Sequence, residues 1–191
     1  MEKIQSVQIV KATTEEDLIQ ILALQSANHR SNLTEEERTM QGFVTLIYDL
    51  DFLRVMPAGN HHIIAKDGDK VVGYVMLMDR SSNHLMKEGA GIFPVFNELE
   101  YKGKKFKEIN YCSVGQVCVH KDYAGQGLLS KMYAYYKACY KGVYDLAMTD
   151  ISYLNHRSMK AHKKAGFEVV HRFDEPDQGE PWDIIVWDWR D

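Results

Sequence analysis

The stretch VGQVCVHKDYAGQGLLSKMY, Val114 to Tyr133, constrains the fold more than any other. Asn110 to Val119 reads as a strand with no clean polar face, as expected of a central strand covered on both sides. Leu128 to Gly142 reads as a helix whose apolar stripe is Leu129, Met132, Tyr136 and Cys139 or Tyr140. At the joint between them stand Gly125 and Gly127. Glycine tolerates positive φ, so successive backbone N–H groups here can turn toward one point. The helix from Leu128 adds its own unpaired N–H groups and the positive end of its dipole. Such a joint is an anion site, suited to a phosphate or pyrophosphate carried by a soluble cofactor. Paired glycines also serve plain tight turns, so the joint alone leaves both readings open.

Two other phosphate cradles are excluded on residues. A P-loop needs Gly-x-x-x-x-Gly-Lys-Ser/Thr, which the chain lacks, and a dinucleotide fingerprint needs a third glycine or alanine where Ser130 stands. Polyanion binding is disfavoured by a formal net charge of -4 and by the lack of a long Lys/Arg run. No window approaches the roughly 20 apolar residues of a membrane span, and the N-terminus lacks a signal-like core. A cytoplasmic protein without nucleic-acid or membrane partners is the expectation. Three cysteines and eight scattered histidines show no metal-ligand or disulfide spacing, so no metal is expected.

With 191 residues, 45% of them hydrophobic, the chain is long enough for one domain with an ample core, and a single domain over 1–191 is expected. Ile4 to Lys11 predicts a first strand. Thr13 with Glu16 reads as a capping box opening a helix that carries Leu18, Ile21, Leu22 and Gln25 on one face. Thr34 with Glu37 repeats that signal and opens a helical region that pauses near Gly42, continues through Phe43 to Leu53, and stops before Pro57. His61 to Lys66 and Lys70 to Met78 form a hairpin around Asp67-Gly68-Asp69. A long strand–strand connection occupies about 79–108. Further strands are expected at Val143 to Ile151, Phe167 to Phe173 and Asp183 to Trp189, with a short helix from Ser158 to Ala165 closed by Gly166. The order implies a mixed α/β sheet. Trp182, Trp187 and Trp189 fit either a homodimer contact or packing within the last strand.

A second block, NHRSMKAHKKAGF, Asn155 to Phe167, completes the pattern. Together the two blocks resemble the GCN5-related N-acetyltransferase (GNAT) family, which uses acetyl-CoA. In that family a strand runs into an Arg/Gln-x-x-Gly-x-Gly/Ala turn that binds the pyrophosphate. A later Asn-x-x-Ala/Ser, followed by Gly-Phe, builds the other wall. The specific resemblance spans Asn110 to Phe173, and the flanking elements agree only in order. It implies a single-domain α/β (α+β) fold with a mixed, mostly antiparallel central sheet flanked by helices. Two positions depart from the pattern: Ala124 replaces Arg or Gln, and Leu129 replaces Gly or Ala. One side-chain contact is thereby lost, while backbone donors at Gly125, Gln126, Gly127, Leu128 and Leu129 remain.

The resemblance further implies transfer of acetyl from acetyl-CoA to a primary amine, small-molecule or peptide, by direct attack on the thioester. Main-chain groups of Val117 and Val119 would hold the pantetheine arm like an added strand, and an N–H of Cys118 or Val119 would face the thioester oxygen. His162 stands where many relatives carry a tyrosine that protonates the leaving thiolate. Its two readings are that proton donor and an ordinary helix histidine. The strand from Asn110 to Val119 lacks the carboxylate that many relatives use as base, which leaves Asp150 as the closest carboxylate by motif position. Asn155 and Ser158 would line the pantetheine side, with Asn155 equally suited to cap its helix. Phe43, Phe93 and Tyr111 are candidate walls of the acceptor site. The rival reading is a non-catalytic acyl-CoA-binding or sensing domain.

Overall fold

A computed structural model describes residues 6–55, 61–79, 96–175 and 179–190. Its centre is a seven-stranded sheet. The strands, in spatial order, are β1 (Val7–Lys11), β2 (Ile63–Asp67), β3 (Lys70–Met78), β6 (Tyr111–Val119), β7 (Leu146–Ser152), β9 (Glu180–Asp188) and β8 (Glu168–Glu175). All neighbours are antiparallel except β6 and β7, which are parallel. This is the mixed, mostly antiparallel architecture expected. A small ribbon, β4 (Glu100–Tyr101) with β5 (Lys104–Lys105), turns on Lys102 and Gly103, both at positive φ. It gives regular structure to the end of the long connection, whose residues 80–95, Phe93 among them, lie outside the described residues.

Alternation along the central strands sends side chains to two separate cores. One face packs on helices α1 (Glu15–Asn28) and α3 (Leu50–Arg54), joining Ile21, Leu24 and Phe52 to Tyr74, Met76 and Met148. The other packs on α4 (Leu128–Tyr140), joining Met132, Tyr133 and Tyr136 to Val75, Ala147 and Ile185. On that second face Trp187 and Trp189 meet ring to ring and contact Tyr133 and Tyr136. That is the intramolecular one of the two readings for these tryptophans. Among the described residues, no helix is long and apolar enough to cross a membrane.

Two local expectations need correction. The first capping box is Thr14 with Asp17, one residue later than the Thr13–Glu16 pairing, because the Asp17 carboxylate accepts from the N–H of both Thr13 and Thr14 and from Lys66. The Thr34–Glu37 box is as expected and opens α2 (Glu35–Gln41). The helical pattern does not continue through Phe43, however. Residues 43–49 are not helical: Val44 bridges to His29, and the buried Gln25 amide both donates to the Tyr48 carbonyl and accepts from its N–H. Tertiary hydrogen bonds override the periodicity, and the helix resumes only at α3.

The feature that positions the site is a divergence of β6 from β7. Their register is Tyr111 with Leu146, Cys112 with Ala147 and Ser113 with Met148, and no pair follows. The hydroxyl of Thr149 donates to the Val114 carbonyl at 2.7 Å and closes the vertex. On the other side of β6 the register against β3 shifts at Gly115, which is left without a partner. A Cβ there would lie 2.0 Å from the Met78 sulfur, so any larger residue at this bulge would have to displace the buried Met78 side chain.

Candidate active site

The gap between the strands opens into a cleft of about 420 Å³. One wall is Val117, Cys118 and Val119 of β6, and the floor is the turn Tyr123, Ala124, Gly125, Gly127, Leu128 and Leu129. Asn155, Arg157, Ser158, Lys160, Ala161 and Lys164, all at or within α5 (His156–Ala165), form the opposite wall. Phe43 and Val44 close the remaining side. The structure thus brings ten of the eleven sequence-derived coenzyme residues to one cleft. Gln126 is absent from the lining; its side chain turns out and donates to the Asp122 carbonyl at 2.9 Å.

Gly125 and Gly127 have φ of 74° and 80°, in the left-handed region that favours glycine. A Cβ at either would meet nothing within 4 Å, so the demand is for backbone conformation rather than internal space. Gly127 is the N-cap of α4 and no side chain caps that helix end. The first-turn N–H groups and the dipole are therefore free to face an anion. Tyr123 fixes the turn from behind, its hydroxyl donating to Asp67 at 2.5 Å.

Main-chain direction in β6 follows from one bond. His120 N–H donates to the Val72 carbonyl of β3, so the peptide groups of Val119 and Val117 alternate away from β3 and face the gap. Cys118, one residue out of phase, faces β3. Of the two N–H groups considered for the thioester oxygen, the geometry keeps Val119 and removes Cys118. The Cys118 thiol is buried and pushed up to about 12 by desolvation, so it stays protonated at neutral pH.

His162 does not sit where a proton donor would. It is 2% exposed and absent from the cleft lining. Its Nδ1 lies 2.8 Å from the Ser158 carbonyl, which can only accept, so Nδ1 carries the proton and Nε2 accepts from the Tyr133 hydroxyl at 2.6 Å. Desolvation pushes its pKa down to about 4. A neutral ring with both nitrogens engaged in the interior ties α5 to α4. His162 is thus a clamp that sets the separation of the cleft walls, and the proton-donor reading is corrected on that ground.

Asn155 lines the cleft, yet its amide is committed: Oδ1 accepts from Ser158 N–H at 3.2 Å and Nδ2 donates to the Phe43 carbonyl at 2.9 Å. It is the helix cap of the two alternatives, and it fastens the 43–49 segment to α5. Tyr111 is 2% exposed and packs edge-on against Phe106 in the core, away from the cleft, so it is not a wall residue. Asp150 is half-buried on β7, beyond the last β6–β7 pair. It shares a sheet face with Met148, and its charge adds to burial in raising the nearby Tyr48 phenol. The Tyr48 hydroxyl reaches the Gly115 carbonyl at 3.4 Å. Among the described residues, no group of three metal-ligating side chains comes together.

Sequence reading missed three cleft cations, Arg157, Lys160 and Lys164. Their signal was available as basic residues at i, i+3 and i+7 on a helix that contains no carboxylate. It also missed the Gly115 bulge, which only strand pairing reveals.

The acetyltransferase (GNAT) family model matches residues 20–167. No curated protein matches the sequence. Solved structures similar in fold include the ribosomal-protein-S18-alanine N-acetyltransferase of Escherichia coli, at 10% identity and TM-score 0.62, covering 97% of this chain and 95% of that one. Another is NAA60 of Arabidopsis thaliana in complex with acetyl-CoA, at 12% identity and TM-score 0.61, covering 95% and 99%. A third is a spermidine N-acetyltransferase chimera from Vibrio cholerae SpeG and hSSAT, at 10% identity and TM-score 0.59, covering 96% of each chain.

Proposed function

Because the chain belongs to the GNAT family of acetyltransferases, we propose that it moves acetyl from acetyl-CoA to a primary amine by direct attack on the thioester. The observation that carries this reading is the gap itself. Two glycines at positive φ, an uncapped helix end and the outward peptide groups of Val117 and Val119 form one continuous lane of main-chain polar groups. That lane fits a diphosphate followed by an amide-bearing arm. Acetyl-CoA, when bound, supplies the activated acyl group. Within the protein, Val119 N–H is aimed to stabilise charge on the thioester oxygen. The protonated Cys118 thiol is a poor nucleophile, which favours direct transfer over a route through an acyl-cysteine.

In this reading the amine approaches from the α1 and α3 side of the sheet, and Asp150 takes its proton. Glu180 is held by Arg30 at 3.1 Å and by the Ser152 hydroxyl at 2.6 Å. Asp150, half-buried where β7 has parted from β6, is the carboxylate proposed for proton transfer. The acceptor is a small-molecule or peptide amine; the S18-alanine and spermidine enzymes of similar fold supply a peptide N-terminus and a polyamine as the first two classes to try. A cytoplasmic location without nucleic-acid or membrane partners is part of the same proposal.

The test is release of free thiol from acetyl-CoA across a panel of amines, run beside a thermal melt with acetyl-CoA. Amine-dependent release with a raised melting temperature supports the enzyme. A raised melting temperature without release from any amine favours the sensing domain.

A further inference from the structure

Helix α5, HRSMKAHKKA, holds four lysine or arginine residues and two histidines, and no carboxylate. The whole chain, by contrast, carries a formal net charge of -4. Arg157, Lys160 and Lys164 line the cleft, and their i, i+3, i+7 spacing puts them on one helix face. At a rise of about 1.5 Å per residue the row is roughly 10 Å long. Among the described residues none of the three makes an ion pair or a hydrogen bond. Like charges at this spacing repel one another, and a bound anion relieves that repulsion.

The glycine turn across the cleft already provides main-chain donors and a helix dipole for a diphosphate. It offers no cation of its own, since Ala124 stands at its first position. The row on α5 therefore supplies more positive charge, over a greater length, than a diphosphate alone accounts for. Coenzyme A carries a second anionic group, the 3′-phosphate monoester on its ribose, with a charge near -2 at neutral pH.

We propose that Arg157, Lys160 and Lys164 form a second anion-binding subsite that recognises the coenzyme's 3′-phosphate and selects CoA thioesters over their 3′-dephospho forms. This rests on the acetyl-CoA reading above. The subsite is made of exposed side chains, so its contribution is screened by salt, whereas the main-chain lane is far less sensitive.

Isothermal titration with CoA and with 3′-dephospho-CoA tests it. The native protein is expected to bind CoA about ten-fold more tightly at low salt, with the ratio shrinking as salt rises. The triple variant R157Q/K160Q/K164Q, checked for an unchanged melting temperature, binds the two forms within about two-fold of each other and keeps its affinity for 3′-dephospho-CoA. Lys160→Gln alone loses part of the preference, which serves if the triple variant folds poorly. Lys163→Gln, outside the cleft lining, keeps the full ratio. Equal binding of both forms by the native protein, or a ratio that survives the triple variant, overturns the subsite and leaves the acetyl-CoA reading standing. Binding of neither form overturns both.

Discussion

The two ends of the β6–β7 gap are built by opposite means. At the coenzyme end the glycine turn presents bare main chain: Gly125 and Gly127 hold positive φ with open space where a side chain would begin. At the end proposed for the acceptor, side chains hold one another in place. Arg30 reaches both carboxylate oxygens of Glu180 at 3.1 and 3.4 Å, and Gln116 accepts from Tyr74 at 2.5 Å while donating to the Leu46 carbonyl at 2.8 Å. Main-chain geometry can be specified by a few local residues. A side-chain network is specified by partners that meet only after folding. The coenzyme end can therefore be common to many reactions, while the other end is particular to this chain.

Acid should break both ends together, and this is the largest effect expected. His162 clamps α5 to α4, and His62 joins the Leu53 carbonyl of α3 to the Leu77 N–H of β3. Burial lowers both pKa values to about 4, against roughly 6.5 in the unfolded chain. The folded state thus favours the neutral rings, so their contribution is complete above pH 6.5 and is lost as pH falls toward 4. Linkage puts that loss at about 3 kcal/mol per histidine by pH 4. Denaturant unfolding at pH 7, 5.5 and 4.5 checks it, and a flat profile above pH 5 would contradict the buried neutral rings.

His162→Ala then separates the ends. It leaves the buried Tyr133 hydroxyl without a partner and opens a cavity, for a cost of about 3 kcal/mol in stability. CoA affinity should fall several-fold as the walls lose their spacing, and the pH dependence of turnover should keep its shape. A profile that loses one limb would return His162 to proton transfer. Asp150→Asn probes the other end. Turnover with a responsive amine should drop about 100-fold and lose its acidic limb, with CoA affinity unchanged. An unaltered profile would dismiss Asp150 as base. The smallest effect is expected for Arg30→Gln, which removes a partly exposed ion pair worth about 1 kcal/mol. It should raise the KM for the amine and leave CoA binding alone; weakened CoA binding would show that the ends are not separable.

What could be read from the sequence follows the same division. The glycine joint was legible because positive φ at a strand-to-helix turn is a local demand on residue type. Asn155 was legible as a cap for the same reason, three residues before Ser158. His162 was not, because its environment is set by Tyr133, 29 residues away, and motif position alone suggested a proton donor to the leaving thiolate. The non-helical run at residues 43–49 was misread as helix because the bonds that hold it come from Gln25 and Asn155. Arg30 and Glu180, 150 positions apart, gave no sequence signal at all.

The most direct test of the coenzyme end compares Gly127→Val with Gly68→Val by calorimetric titration of CoA. Both glycines have positive φ, 80° and 60°, and neither has an atom within 4 Å of its Cβ position. The two substitutions therefore carry similar backbone strain, about 1–2 kcal/mol each. Only Gly127 faces the cleft; Gly68 lies in the β2–β3 turn. The account predicts CoA binding weakened at least 100-fold in Gly127→Val and unchanged in Gly68→Val. Equal CoA affinity in the two variants would contradict it.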